Sequence, residues 1–187
     1  MADAPESGSQ GSPFWRFSLA FYRDPAVAAA CITLQDHAGV DVNVLLFLLW
    51  NATFARSLPQ AVIADLDRRI GAWRKAAVIP LRELRRALKV PPPVVDAGAA
   101  EAFRTRVKAV ELEAERLQQQ TLFDLVPSLQ FEPAASRLAA ARVSVAAYEA
   151  ASPQGFPAAA VETILAAFGK LSGEPFETNA SHIVRKF

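Results

Sequence analysis

The sequence predicts an all-α, single-domain bundle of about seven to eight helices, with a Pro-rich connector and polar tails. Apolar residues recur at helical spacing through most of the 187 residues. Helix-start signals, a capping side chain followed by proline, stand at Ser12-Pro13 and Asp24-Pro25. No Asn-Gly or Asp-Gly turn between alternating apolar residues marks a hairpin, and no internal repeat is visible. Residues 1–12 are expected to form a disordered tail, 13–170 the helical domain with a connector at 90–97, and 171–187 a C-terminal tail.

The elements follow in order. Ser12-Pro13 opens the first helix, whose Phe14, Trp15, Phe17, Leu19, Phe21 and Tyr22 give a wide apolar face. Asp24-Pro25 opens the second, with Val27, Ala30, Cys31 and Leu34 inward and Gly39 ending it. Asp41 caps the third, VNVLLFLLWNATFA. Its uncharged run of fourteen residues between Asp41 and Arg56 is shorter than the roughly 20 a membrane-spanning helix needs. It is therefore expected to be the buried centre of the bundle. Ser57 and Pro59 start a fourth helix with Val62, Leu66, Ile70 and Trp73 inward, and Pro80 should break or kink it. A short fifth carries Leu81, Leu84 and Leu88, and VPPPVV at 90–95 reads as an extended polyproline-like connector. The sixth runs from about Gly98 to Val126, with Phe103, Val107, Val110, Ala114 and Leu117 on one face and Pro127 closing it. Residues 133–150 give a seventh, with Leu138, Ala141, Val145 and Tyr148 inward. Phe156-Pro157 opens an eighth, with Val161, Ile164, Leu165 and Phe168.

Net charge is only +1, so no global attraction to nucleic acid or membrane is expected. The distribution is uneven. Residues 68–89 hold eight basic side chains against one acidic, while 1–67 hold three against seven. Arg82, Arg85, Arg86 and Lys89 fall at i, i+3, i+4 and i+7, on one side of a helix. With Arg74 and Lys75 they form a candidate anion- or partner-binding patch, because a guanidinium grips phosphate or carboxylate with two parallel bonds. Like charges at this spacing repel. Glu111, Glu113 and Glu115 on the sixth helix are candidate internal partners.

Other residues point less sharply to chemistry. Asn43 and Asn51 are amides within an apolar helix, and each needs a partner. With Trp50 and Phe54 they are candidate lining for a pocket, though helix–helix hydrogen bonding is the plainer role. Gln35, Asp36, His37 and Asp41 cluster between the second and third helices, but Asp41 is already explained as a cap. Cys31, the only cysteine, sits on an inward face and excludes a disulfide or a cysteine-based zinc site. His182 lies far from any candidate partner. No catalytic residue, metal site or cofactor motif is expected. The acidic, polar N-terminus lacks the order of a signal peptide, which points to a cytoplasmic protein.

The order F-W-x-F-S-x-x-x-Y (14–22), C-x-x-L-Q (31–35), V-x-V-L-L-F-x-L-W (42–50) and W-R-x-x-x-V-x-P-L-R-x-x-R-R-x-L-K (73–89) resembles a bacterial, mainly proteobacterial, family of conserved hypothetical proteins. The resemblance is strongest over 14–89. It implies a cytoplasmic helical protein whose basic segment belongs to its hallmark, and it transfers no activity or catalytic residue. Two functions are therefore expected. One is a non-catalytic binding or adaptor protein whose basic patch docks an acidic partner protein or an RNA backbone. The alternative is a small-molecule-binding protein or enzyme that takes an anionic, amphipathic ligand in a pocket of the bundle. Self-association is left open by the high apolar content.

Overall fold

The capping side chains hold their helix starts. In the computed structural model, which describes residues 11–173, Ser12 Oγ accepts from the Trp15 amide at 3.2 Å and opens α1 (Pro13–Phe21). Asp24 Oδ1 accepts from Ala26 N at 2.8 Å and opens α2 (Pro25–Ala38). Gly39 closes α2 with φ 65°, a left-handed conformation that side-chain-bearing residues adopt at a cost. Asp41 Oδ1 accepts from Asn43 N at 2.8 Å and from Val44 N at 3.4 Å, opening α3 (Val42–Ala52). The expected N-terminal tail to residue 10, the end of the C-terminal tail and His182 lie outside the described residues.

α3 is the centre of the molecule: every residue from Asn43 to Ala52 is buried. Among the described residues no helix is long and apolar enough to cross a membrane. Helix α3 packs against α1, against α6 (Ala97–Leu125) and α7 (Arg137–Ala151), and more lightly against α2. Trp50 gathers an aromatic cluster, with ring centroids 5.6 Å from Phe14, 6.1 Å from Phe47, 5.5 Å from Phe54 and 5.6 Å from Phe123. α8 (Ala158–Leu171) covers α2 and α7. Two short strands, β1 (Arg56–Ser57) and β2 (Glu132–Pro133), pair antiparallel and tie the exit of α3 to the entry of α7. The molecule is an all-α bundle, with this pair its only sheet among the described residues.

Three features differ from the sequence reading. First, Pro80 does not break the chain of helices. α4 (Gln60–Trp73) passes through a π turn at Arg74–Val78 into α5 (Ile79–Ala87). In that turn Ile79 N–H donates to Arg74 O, five residues back. The wider turn accommodates a proline, which has no N–H and whose ring would strike the carbonyl four residues earlier in an ordinary α-helix. Second, the connector after α5 is not extended: Val95 N–H donates to Pro92 O at 3.0 Å, closing a turn. Third, the buried face of α6 is rotated from the one its aliphatic residues suggest. Phe103, Val110 and Leu117 are exposed, whereas Val107, Glu111, Ala114, Gln118, Gln119 and Leu122 are buried. The inward face carries polar side chains because polar partners meet them there, a requirement that hydrophobic spacing does not register. Leu84 and Trp73 are exposed as well. Trp73 lies across α6 with its Nε1–H donating to Ala114 O at 3.0 Å.

Candidate functional site

The polar face of α6 is used in two places. In its C-terminal third Gln118 Nε2 donates to Asp41 Oδ2 at 2.6 Å. The same oxygen accepts from Arg74 Nη1 at 2.6 Å, and Arg74 also reaches Asp67 at 2.7 Å. Tyr148 of α7 closes this network, its hydroxyl accepting from the Asp41 amide at 3.0 Å and donating to Asp67 at 3.3 Å. Burial alone would lower the Arg74 pKa, but Asp67 and Asp41 hold it above its ordinary value. Burial also raises the Tyr148 pKa, so the phenol stays protonated. This network ties α3, α4, α6 and α7 together. Its charges are satisfied, so it serves the fold.

The second place is a cleft of about 720 Å³ between α1, α2, α3, α5 and α6. Trp15, Leu19, Ile32, Val42, Leu46 and Leu112 supply apolar wall. Arg82, Arg85, Arg86, Lys89 and Lys108 bring five cations to it, against the three carboxylates of Asp36, Glu111 and Glu115. α5 runs antiparallel to α6, so the charges form a ladder. Arg82 reaches Glu115 at 2.7 Å and Glu111 at 3.2 Å, and its Nη1 donates to Gln35 Oε1 at 2.6 Å. Arg85 closes on Glu111, one of its contacts being 3.1 Å. Arg86 reaches Asp36 at 3.2 Å on the rim. Glu113 points elsewhere, to Arg116. Among the described residues, Lys89 and Lys108 form no ion pair.

The two glutamates differ in state. Burial opposes ionisation of Glu111, but Arg85 and Arg82 outweigh it and hold its carboxyl below the usual value. Among the described residues Glu115 has only Arg82 as an ion-pair partner, and burial keeps its carboxyl above the usual value. Tyr22, on the wall, is likewise raised, first by burial and then by the nearby Cys31 and Glu115. Cys31 is buried and its thiol is pushed up to about 12, so it is protonated and unreactive at neutral pH. Among the described residues no group of three His, Cys, Asp or Glu stands together to hold a metal ion.

The residues singled out from the sequence thus separate. Arg82, Arg85, Arg86 and Lys89 come together along the cleft. Arg74 lies in the buried network, and Lys75 is exposed on the π turn. Asn43 lines the cleft, and its Oδ1 accepts from Gln119 Nε2 at 2.8 Å. Trp50 and Asn51 are buried beneath, with Asn51 Nδ2 donating to Phe47 O at 2.8 Å. Phe54 is half-exposed at the far end of α3, where Arg56 lies over its ring. Sequence reasoning missed Lys108, Gln119 and the aliphatic wall, because these come from helices whose relative rotation no local pattern specifies.

A family model matches residues 13–122. The chain belongs to DUF2390, a family of unknown function. No curated protein and no solved structure matches it. The DUF2390 span covers α1 to α6 up to Leu122 and therefore every residue lining the cleft, from Trp15 to Gln119. α7 and α8 lie outside it.

Proposed function

We propose that this DUF2390 protein binds a small anionic amphiphile in the cleft. One observation carries the reading: an apolar-walled space of about 720 Å³ has two unpaired lysines, Lys89 and Lys108, at one end. Ligand sites commonly enclose roughly 300–1,000 Å³ and combine apolar lining with a few orienting polar groups. The ladder of Arg82, Arg85, Glu111 and Glu115 is internally neutralised and acts as a fixed polar wall. The lysines are left to hold an anionic head, while Leu46, Ile32 and Leu112 receive the apolar part. The bacterial cytoplasm is the compartment this reading assumes.

The test is calorimetric titration with dodecanoate and dodecyl phosphate. The wild type binds one or both, and Lys89→Ala/Lys108→Ala weakens binding by about tenfold, as expected for a lost partly desolvated charge contact. Added salt weakens wild-type binding more than it weakens the double variant. No binding by the wild type, or equal binding by the variant, refutes the reading.

A second reading rests on the exposure of Lys75 on the π turn, Arg86 on α5 and Lys89 just after it. They form a surface for an acidic partner protein or an RNA backbone. Arg74, Arg82 and Arg85 are engaged internally, so this surface keeps half of the six cations of the candidate patch. Capture of a partner that survives Lys75→Ala/Arg86→Ala/Lys89→Ala would refute it.

A further inference from the structure

The end of the cleft away from Lys108 is polar in an unexpected way. Asn43 of α3 and Gln119 of α6 both line it, and they are 6% and 2% exposed. They share one hydrogen bond, Gln119 Nε2 to Asn43 Oδ1 at 2.8 Å. Each then has a group left over. Gln119 Oε1 is buried and accepts from no donor among the described residues. Asn43 Nδ2 has no protein acceptor among the described residues, but unlike Gln119 Oε1 it is open to solvent. Exchanging oxygen and nitrogen in both amides preserves the mutual bond and again leaves one donor and one acceptor unspent. Most buried polar atoms are satisfied, so the unspent Gln119 Oε1 beside an open amide donor at this end of the cleft calls for a physical reason.

The two ends of the cleft are also separated in a defined way. Lys108 and Gln119 both face it from α6, eleven residues apart, which is about 16 Å along the helix axis. The middle is flanked by the neutralised ladder and by aliphatic wall. The cleft therefore has direction: unpaired cations, then apolar wall, then one amide donor beside one amide acceptor. A wholly apolar ligand terminus would leave both amide groups dry and unpaired, whereas a group that both accepts and donates would satisfy them together.

We propose that Asn43 and Gln119 are specificity-determining residues and that the ligand carries an uncharged amide at the end opposite its anionic head. Its carbonyl would accept from Asn43 and its N–H would donate to Gln119. The ligand class is an anionic amphiphile bearing a carboxamide, N-acyl or lactam group. This inference rests on the cleft being a ligand site, and it fails separately from that reading.

The experiment compares dodecanoate with the monoamide of dodecanedioic acid, each titrated into the full chain and into Asn43→Leu/Gln119→Leu. Replacing both partners by apolar groups of similar size removes the pair without stranding either member. The ratio of the two affinities is expected to move by about tenfold toward the plain chain in the double variant. In the wild type, the side-chain NH2 resonances of Asn43 and Gln119 are expected to shift with the monoamide and to stay put with dodecanoate. That second readout decides the matter if the double variant does not fold. An unchanged affinity ratio, or amide resonances that respond alike to both probes, overturns the specificity role while leaving the cleft a ligand site. If neither probe binds, the cleft reading falls and this inference falls with it.

Discussion

At the scale of single residues, the decisive contrast is between Glu111 and Glu115, one helical turn apart on α6. Glu111 is 5% exposed and held by two arginines, while Glu115 is partly exposed and held by one. Removing one member of a buried pair strands the remaining charge and costs about 3–5 kcal/mol. Glu111→Gln still accepts one hydrogen bond, so the expected loss lies at the lower end, about 3 kcal/mol. Because the folded-state value of Glu111 is depressed, its contribution is fully present above the ordinary 4.5 and is lost as pH falls through the lower folded value. Glu115 behaves oppositely. Its raised value means that its burial cost applies at neutral pH and is relieved as pH falls through that value. Urea unfolding at neutral pH should therefore show Glu111→Gln clearly destabilised and Glu115→Gln much less so. The gap between Glu111→Gln and wild type should narrow as the pH is taken below 4.5. A gap that persists unchanged in acid would mean the carboxylate charge is not what holds Arg82 and Arg85.

At the scale of elements, the π turn at Arg74–Val78 is the most consequential local feature. Such a turn amounts to one extra residue in an α-helix, and here it precedes Pro80. Deleting exposed Ala76 would restore an ordinary helix and put Pro80 in its interior, at a cost of about 3 kcal/mol. Combining the deletion with Pro80→Ala removes that clash and should recover most of the loss, measured by urea unfolding and by helical circular dichroism. A deletion that costs nothing alone would show that proline is not the reason for the turn. Much at this scale was legible in the sequence. The caps Ser12, Asp24 and Asp41 act over two or three residues, so their pattern is complete in the local sequence. The burial of α3 was equally plain, since its apolar run is too long to present only one face. The inward face of α6 was not legible. Its apolar Phe103, Val110 and Leu117 face out, and its buried Glu111, Gln118 and Gln119 are there for partners on α3 and α5. The basic stripe of α5 was visible, and so were its candidate partners Glu111 and Glu115. The geometry that leaves Lys89 and Lys108 unpaired was not visible, because it depends on how five helices meet.

At the scale of the whole molecule, the span shared with DUF2390 ends before two helices that pack on its core. The match ends at residue 122, yet α7 packs along both α3 and α4, and α8 packs along α2. Without them the buried faces of α2, α3 and α4 that pack on α7 and α8 would lose cover. Each large apolar side chain returned to water costs about 1.5–3 kcal/mol, and a domain has only about 5–15 kcal/mol of net stability. A chain ending after Ser128 should therefore fail to fold, with no cooperative thermal transition. A cooperative transition in that fragment would mean that α7 and α8 are accessory to the core.

The most direct measurement of the central claim is a methyl- and amide-resolved NMR titration of the wild-type protein with dodecanoate. Saturable shifts are expected at Leu19, Ile32, Leu46 and Leu112 and at the amides around Lys89 and Lys108, with Ile164 and Val161 of α8 unmoved. Shifts confined to the Val90–Val95 turn, spread evenly over the surface, or absent at millimolar ligand would contradict it.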